Sequence, residues 1–127
     1  MWSKAHQFTL AAYKVTRHFP AEELYGLVTQ IRRAAVSIGA NLAEGCGRCS
    51  GGDFARYVQI ALGSATEVSY HLLVARDLGY FSRDGYTALS SQLDEIMRML
   101  ASLHETLKRS NAPEPLRRSA AAAGTKS

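Results

Sequence analysis

The sequence predicts an all-α domain built as a bundle of four helices, and three observations carry that prediction. Apolar residues recur three and four positions apart along four long segments. Helix start and stop signals separate those segments, at Pro20, at the glycines between Gly45 and Gly52, and at Gly79 and Ser82. Finally, 127 residues with 46% apolar content suit a single core and are too few for two.

Helix one spans about Ser3 to His18. Trp2, Ala5, Phe8, Ala12, Val15 and Phe19 form its core face, with Lys4, Lys14 and Arg17 outward. It ends before Pro20, because a proline disfavours helical geometry at the residue ahead of it. The same proline suits the first turn of a new helix, where Glu22 and Glu23 also match the positive dipole end. Helix two therefore runs from about Pro20 to Glu44, roughly 25 residues or about 38 Å. Gly39 inside it marks a bend or a close helix contact.

Helix two is the one around which the chain is organised. Leu24, Leu27, Ile31, Ala35, Ile38 and Leu42 form one apolar stripe. A second face, Val28, Arg32, Val36, Ala40 and Ala43, is mostly small and apolar, so a single partner helix does not cover it. Between the two, Arg33, Ser37, Asn41, Glu44 and Arg48 make a polar stripe on a helix that otherwise reads as buried. Buried polar groups need partners, and another helix, another subunit or a ligand can supply them.

Gly45 to Gly52 reads as a connection on its four glycines, and Ser50 followed by Asp53 fits a capping box opening helix three. Phe54, Val58, Ala61, Ala65, Val68, Leu72 and Ala75 form its apolar stripe, and Gly79 stops it. Its mixed face, Tyr57, Ile60, Ser64, Glu67 and His71, makes it the natural neighbour of helix two. Ser82 caps helix four, whose seam of Tyr86, Leu89, Leu93, Ile96, Leu100, Leu103 and Leu107 is unbroken. Asn111, Pro113 and Pro115 end it. Residues 1–110 are thus the bundle domain and 111–127 an expected disordered tail.

The net charge of +4 suggests an acidic partner, but half of the excess sits in the tail: residues 1–110 hold 12 basic against 10 acidic side chains. The N-terminus lacks a secretory h-region and no apolar run reaches membrane-spanning length, so a soluble cytoplasmic protein with reduced Cys46 and Cys49 is expected. A single CxxC without further ligands is a weak zinc signal and lacks the βαβ context of a redox site. Glu67 and His71 are four apart rather than the three of a di-iron bundle, and no second copy exists. No nucleophile with a base and orienter appears, nor a phosphate-cradling loop. The expectation is no catalytic residues, no metal, no cofactor and no enzyme activity. Arg32, Arg33, Arg48 and Arg56 are read as clustering at one end of helices two and three. They either bind phosphate, or pair with Glu44 and Glu67 inside the protein or across an interface. Asn41, Glu44, Ser64 and Glu67 are expected to hydrogen-bond one another as structural groups.

At this point the residues carry a family likeness. QIRRAAVSIGANLAEGCGR at 30–48, preceded by FPAEELYGL at 19–27 and followed by IALGSATEV at 60–68 and LLVARDLGYF at 72–81, closely resembles the bacterial four-helix-bundle proteins encoded in intervening sequences of 23S rRNA genes. The chain is more distantly similar to the accessory protein of diversity-generating retroelements, a pentameric bundle that binds nucleic acid and a reverse transcriptase. The signature positions are Arg32, Arg33, Ser37, Asn41, Glu44, Gly45 and Arg48, with Gly63, Ser64 and Glu67. The resemblance implies an up-and-down antiparallel bundle and a homopentamer. Small residues such as Ala40, Ala43 and Gly63 independently predict close contacts between copies in a closed ring. The functional expectation is a ring that binds RNA, ribosomal RNA among the candidates, or another nucleic acid. The alternative is a protein-binding scaffold with no nucleic-acid role.

Overall fold

The computed structural model describes residues 1–48 and 51–110, so Ser50, half of the expected capping box, and the expected disordered tail lie outside the described residues. The described residues form four long helices: α1 over Trp2–Thr16, α2 over Thr29–Arg48, α3 over Gly51–Asp77 and α4 over Arg83–Ser110. Each packs on its neighbours in chain order and α4 closes back on α1, which is the expected four-helix bundle. The register is antiparallel. Ser37 meets Ser64 and Gly45 meets Phe54 across the α2–α3 seam, Thr9 meets Ala35 across α1–α2, and Lys4 pairs with Glu95 across α1–α4.

The core follows the periodicity. Phe8, Ile31, Ile38, Leu72, Leu89, Leu93, Ile96 and Leu100 are fully buried, and the α4 seam extends through half-buried Tyr86, Leu103 and Leu107. Gly79 adopts φ +78°, and the bonds Tyr80 N–H to Ala75 O (3.0 Å) and Gly79 N–H to Arg76 O (2.9 Å) make it a Schellman end for α3. Ser82 Oγ accepts the Gly85 N–H at 3.0 Å, the expected cap of α4.

Helix two departs from expectation at both ends. It does not run unbroken from Pro20. A short 3-10 turn (Ala21–Glu23) and a widened turn (Leu24–Val28) precede α2, broken by non-helical backbone at Gly26, φ −114° and ψ −110°. This break turns Leu24 out to 45% exposure, away from the core stripe in which the spacing places it. Nor does α2 stop at Glu44. It continues through Gly45, Cys46 and Gly47 to Arg48, so the glycine-rich stretch is largely helix. Gly45 is there for space rather than for flexibility: a Cβ would lie 2.8 Å from Phe54 Cδ1 and 2.9 Å from Tyr57 Cβ. Gly39 marks a close helix contact, with the Trp2 indole nitrogen and Ala5 Cβ within van der Waals reach of the position its own Cβ would take. Trp2 itself is 50% exposed, because it sits at the helix start with its ring stacked on His6 and not in the core.

The break at Gly26 is held by one carboxylate. Glu23 Oε1 accepts the Leu27 N–H at 3.1 Å, and Oε2 accepts the Tyr80 hydroxyl at 2.7 Å, which ties the α1–α2 connection to the α3–α4 connection. Phe19 packs beside it, tilted against the Tyr80 ring and edge-on to Phe81. The Tyr80 bond, then the Leu27 N–H, hold the Glu23 carboxyl below its ordinary range, and the same bond raises the Tyr80 phenol. The signs follow from linkage. Glu23 has a folded pKa below its unfolded one, so its contribution is present above the carboxylate range and lost as pH falls. Tyr80 has a raised folded pKa, so its contribution is present below the phenol range and lost as pH rises. Stability should therefore fall off below pH ~4 and above pH ~10 by amounts that Tyr80→Phe reduces. Urea midpoints across pH check this, and identical profiles for the two proteins would contradict it.

Candidate functional site

The polar stripe of α2 divides in two. Ser37 Oγ lies 2.8 Å from Ser64 Oγ, and the Asn41 amide donates to the Ser37 carbonyl (2.8 Å) and hydroxyl (3.0 Å). All three residues are half-buried in the α2–α3 seam, where a hydroxyl with two lone pairs and one proton can serve both neighbours. Glu67 is not brought into this cluster. It lies 54% exposed with Oε2 3.1 Å from His71 Nε2, one turn along its own helix. Glu44 is exposed as well. The glutamates therefore sit at the solvent rim of the seam and not in a buried network.

Of the arginines whose side chains are described, Arg32 and Arg33 stand apart from Arg56. Arg32 Nε donates to Thr16 Oγ1 at 2.9 Å, its Nη2 donates to the Tyr13 carbonyl at 3.3 Å, and its guanidinium lies 4.5 Å over the Tyr13 ring. It is a clamp between α1 and α2. The buried Thr16 hydroxyl in turn donates to the Ala12 carbonyl at 2.8 Å. Arg33, the next residue, is exposed. Arg56 lies over the Tyr57 ring at 4.6 Å, exposed near the other end of the α2–α3 seam. By helix rise, the 12 residues between Arg33 and Gly45, the neighbour of Tyr57, separate the two basic sites by roughly 18 Å. The side chain of Arg48 lies outside the described ones.

Sequence reasoning missed a groove. Trp2, His6 and Thr9 of α1 and Val36, Gly39, Ala40 and Ala43 of α2 line an open trough of about 420 Å³, floored by small residues and walled by the stacked Trp2–His6 rings, 5.1 Å apart and 6° from parallel. Val36 is 45% exposed here. The small second face of helix two was the available signal, since it is the floor of this groove. The placement of Trp2 was what concealed it. Among the described residues no His, Cys, Asp and Glu cluster suits a metal, and no helix is long and apolar enough to cross a membrane. Cys46 is free and exposed, while Cys49 lies outside the described residues.

Comparison with solved structures finds a protein of unknown function from the S23 ribosomal protein family of Bacteroides thetaiotaomicron. It is 28% identical with a TM-score of 0.73, over 81% of this chain and 96% of that one. No curated protein matches. The model of the 23S rRNA-intervening sequence protein family matches residues 1–102, nearly the whole bundle. On that match the chain belongs to the 23S rRNA-intervening sequence protein family.

Proposed function

We propose that the chain works in the cytoplasm without catalysing a reaction, as a bundle that assembles with copies of itself into a ring, on the resemblance a pentamer, and binds RNA or another nucleic acid through the repeated basic surface. The observation that carries assembly is the uncovered apolar groove of α1 and α2, because exposed apolar patches of this kind mark interaction surfaces. What supports RNA is the +4 charge, which symmetry multiplies, together with Arg56 exposed on the outer surface of α3. The family description makes a structured ribosomal RNA the first ligand to try.

A second reading, a protein-binding scaffold, is favoured by one specific observation: Arg32 is committed to Thr16 and Tyr13, which leaves fewer arginines for phosphate. Light scattering should return a mass several times 13.9 kDa; a monodisperse monomer at micromolar concentration contradicts assembly. Affinity for a structured RNA should fall linearly on a log–log plot against salt, with a slope set by the phosphates neutralised. Salt-insensitive affinity, or no binding at low salt by an assembled protein, selects the scaffold.

A further inference from the structure

We infer that the α1–α2 groove receives the outer face of α3 from a second copy of this chain, with Trp2 of one copy seated at Gly63 of the next. The inference rests on the self-assembly reading and adds the contact and its register.

A closed ring of bundles around an axis parallel to the helices has no rise from copy to copy, so each residue meets residues at its own height. Height can be read within the chain. Ser37 faces Ser64 and Gly45 faces Phe54 and Tyr57, so position i of α2 stands level with about position 100 − i of α3. The helix pair that such a ring brings together, α2 and the next copy's α3, is antiparallel, as α2 and α3 are within one chain. In this register Ala40 faces Ile60, and Trp2, whose indole lies beside Gly39, faces the region of Gly63.

The two surfaces fit at that height. The groove is floored by Gly39, Ala40 and Ala43, which lets another helix approach closely. On α3, Ile60 is 41% and Tyr70 64% exposed, and between them Gly63 has nothing within 4 Å of the position its Cβ would occupy. A half-exposed indole opposite an open glycine is a knob facing a hole. The charges agree with the same register. Arg33 and Glu67 stand level, are both exposed and are not paired with each other within the chain, Glu67 instead bonding His71. Set antiparallel, Arg33 of one copy meets Glu67 of the next. A parallel setting, which a two-fold axis across the helices would impose, brings Arg33 towards Arg56 instead. Two different patches on one molecule joined head to tail generate a ring when the rotation between copies closes.

The test uses full-length chains carrying Cys46→Ser and Cys49→Ser, with either His6→Cys or Gly63→Cys, co-expressed and oxidised. A disulfide requires Cα atoms within about 7 Å, so only close neighbours join. The expected product is a two-chain species containing one of each variant, with neither variant cross-linking alone. The chain carrying both cysteines should give a ladder that stops at the number of copies in the ring. His6→Cys linking to itself would mean groove against groove, and overturns the inference. So does an assembled protein with no His6–Gly63 link, which leaves self-assembly standing, whereas a monomer by light scattering removes both. If the variants fail to assemble, wild type still decides: Trp2 is the chain's only tryptophan, and its emission should shift to the blue as dilute protein is concentrated into the assembly. Emission unchanged while the mass rises overturns the contact.

Discussion

Gly45→Ala is expected to destabilise the bundle by up to about 2 kcal/mol, although a glycine inside a helix ordinarily invites improvement. Alanine gains ~1 kcal/mol over glycine in a helix interior, and a forced overpacking costs ~1–3 kcal/mol, so the outcome depends on whether the neighbours can yield. The added Cβ would come 2.8 Å from Phe54 Cδ1 and 2.9 Å from Tyr57 Cβ. A phenyl ring can rotate away. The Tyr57 Cβ is attached to the α3 backbone, so it moves only if the two helices part, and the α2–α3 seam with its Ser37–Ser64 bond parts with them. Gly47→Ala, two residues along the same helix, meets nothing within 4 Å and should stabilise by up to ~1 kcal/mol. Urea denaturation of both variants beside wild type reads the contrast. A Gly45→Ala protein as stable as Gly47→Ala would show that α2 and α3 are not so closely packed there.

Gly45 also marks the boundary of what the sequence reveals. Local signals reported local structure faithfully: the unbroken three-and-four spacing from Tyr86 to Leu107 is the buried seam of α4, and Gly79 and Ser82 end and begin helices as their chemistry dictates. Where one residue type has two uses, the sequence reading chose the commoner one. Glycines at 45 and 47 read as chain breakers, yet Gly45 serves helix packing and the helix runs on. The break falls instead at Gly26, where Glu23 takes the Leu27 N–H and the Tyr80 hydroxyl, and that second partner is 57 residues away. No spacing rule reaches so far. The same limit hid the fate of Arg32, whose acceptor, the Thr16 hydroxyl, lies on another helix. The stripe Ser37, Asn41 and Ser64 was legible because helical spacing places all three on one seam. That Glu67 faces solvent while Ser64, one turn before it, meets Ser37 is finer than an apolar pattern resolves.

Adjacent arginines should therefore behave oppositely. Arg32→Ala removes two hydrogen bonds and a cation–π contact that join α1 to α2, and part of that clamp is screened by solvent, so a loss of ~1–2 kcal/mol in unfolding free energy is expected. Its effect on RNA should be small, because a guanidinium committed to Thr16 and Tyr13 is not offered to phosphate. Arg33→Ala, at an exposed position, should leave stability within about 0.5 kcal/mol of wild type. If the ring binds RNA, each phosphate left without its arginine lowers the slope of log affinity against log salt by ~0.7–0.9, and symmetry repeats the effect in every copy that touches the RNA. Arg56→Ala should show this loss directly, whereas Arg33→Ala, which removes the inferred partner of Glu67 in the next copy, should weaken assembly and lower RNA binding only with it. Should Arg32→Ala weaken RNA binding with stability unchanged, the clamp is misassigned and Arg32 belongs to the binding surface. Should neither exposed arginine matter to an assembled ring that still binds, the RNA is held elsewhere, and a chain ending at Ser110 then decides whether Arg117 and Arg118 carry it.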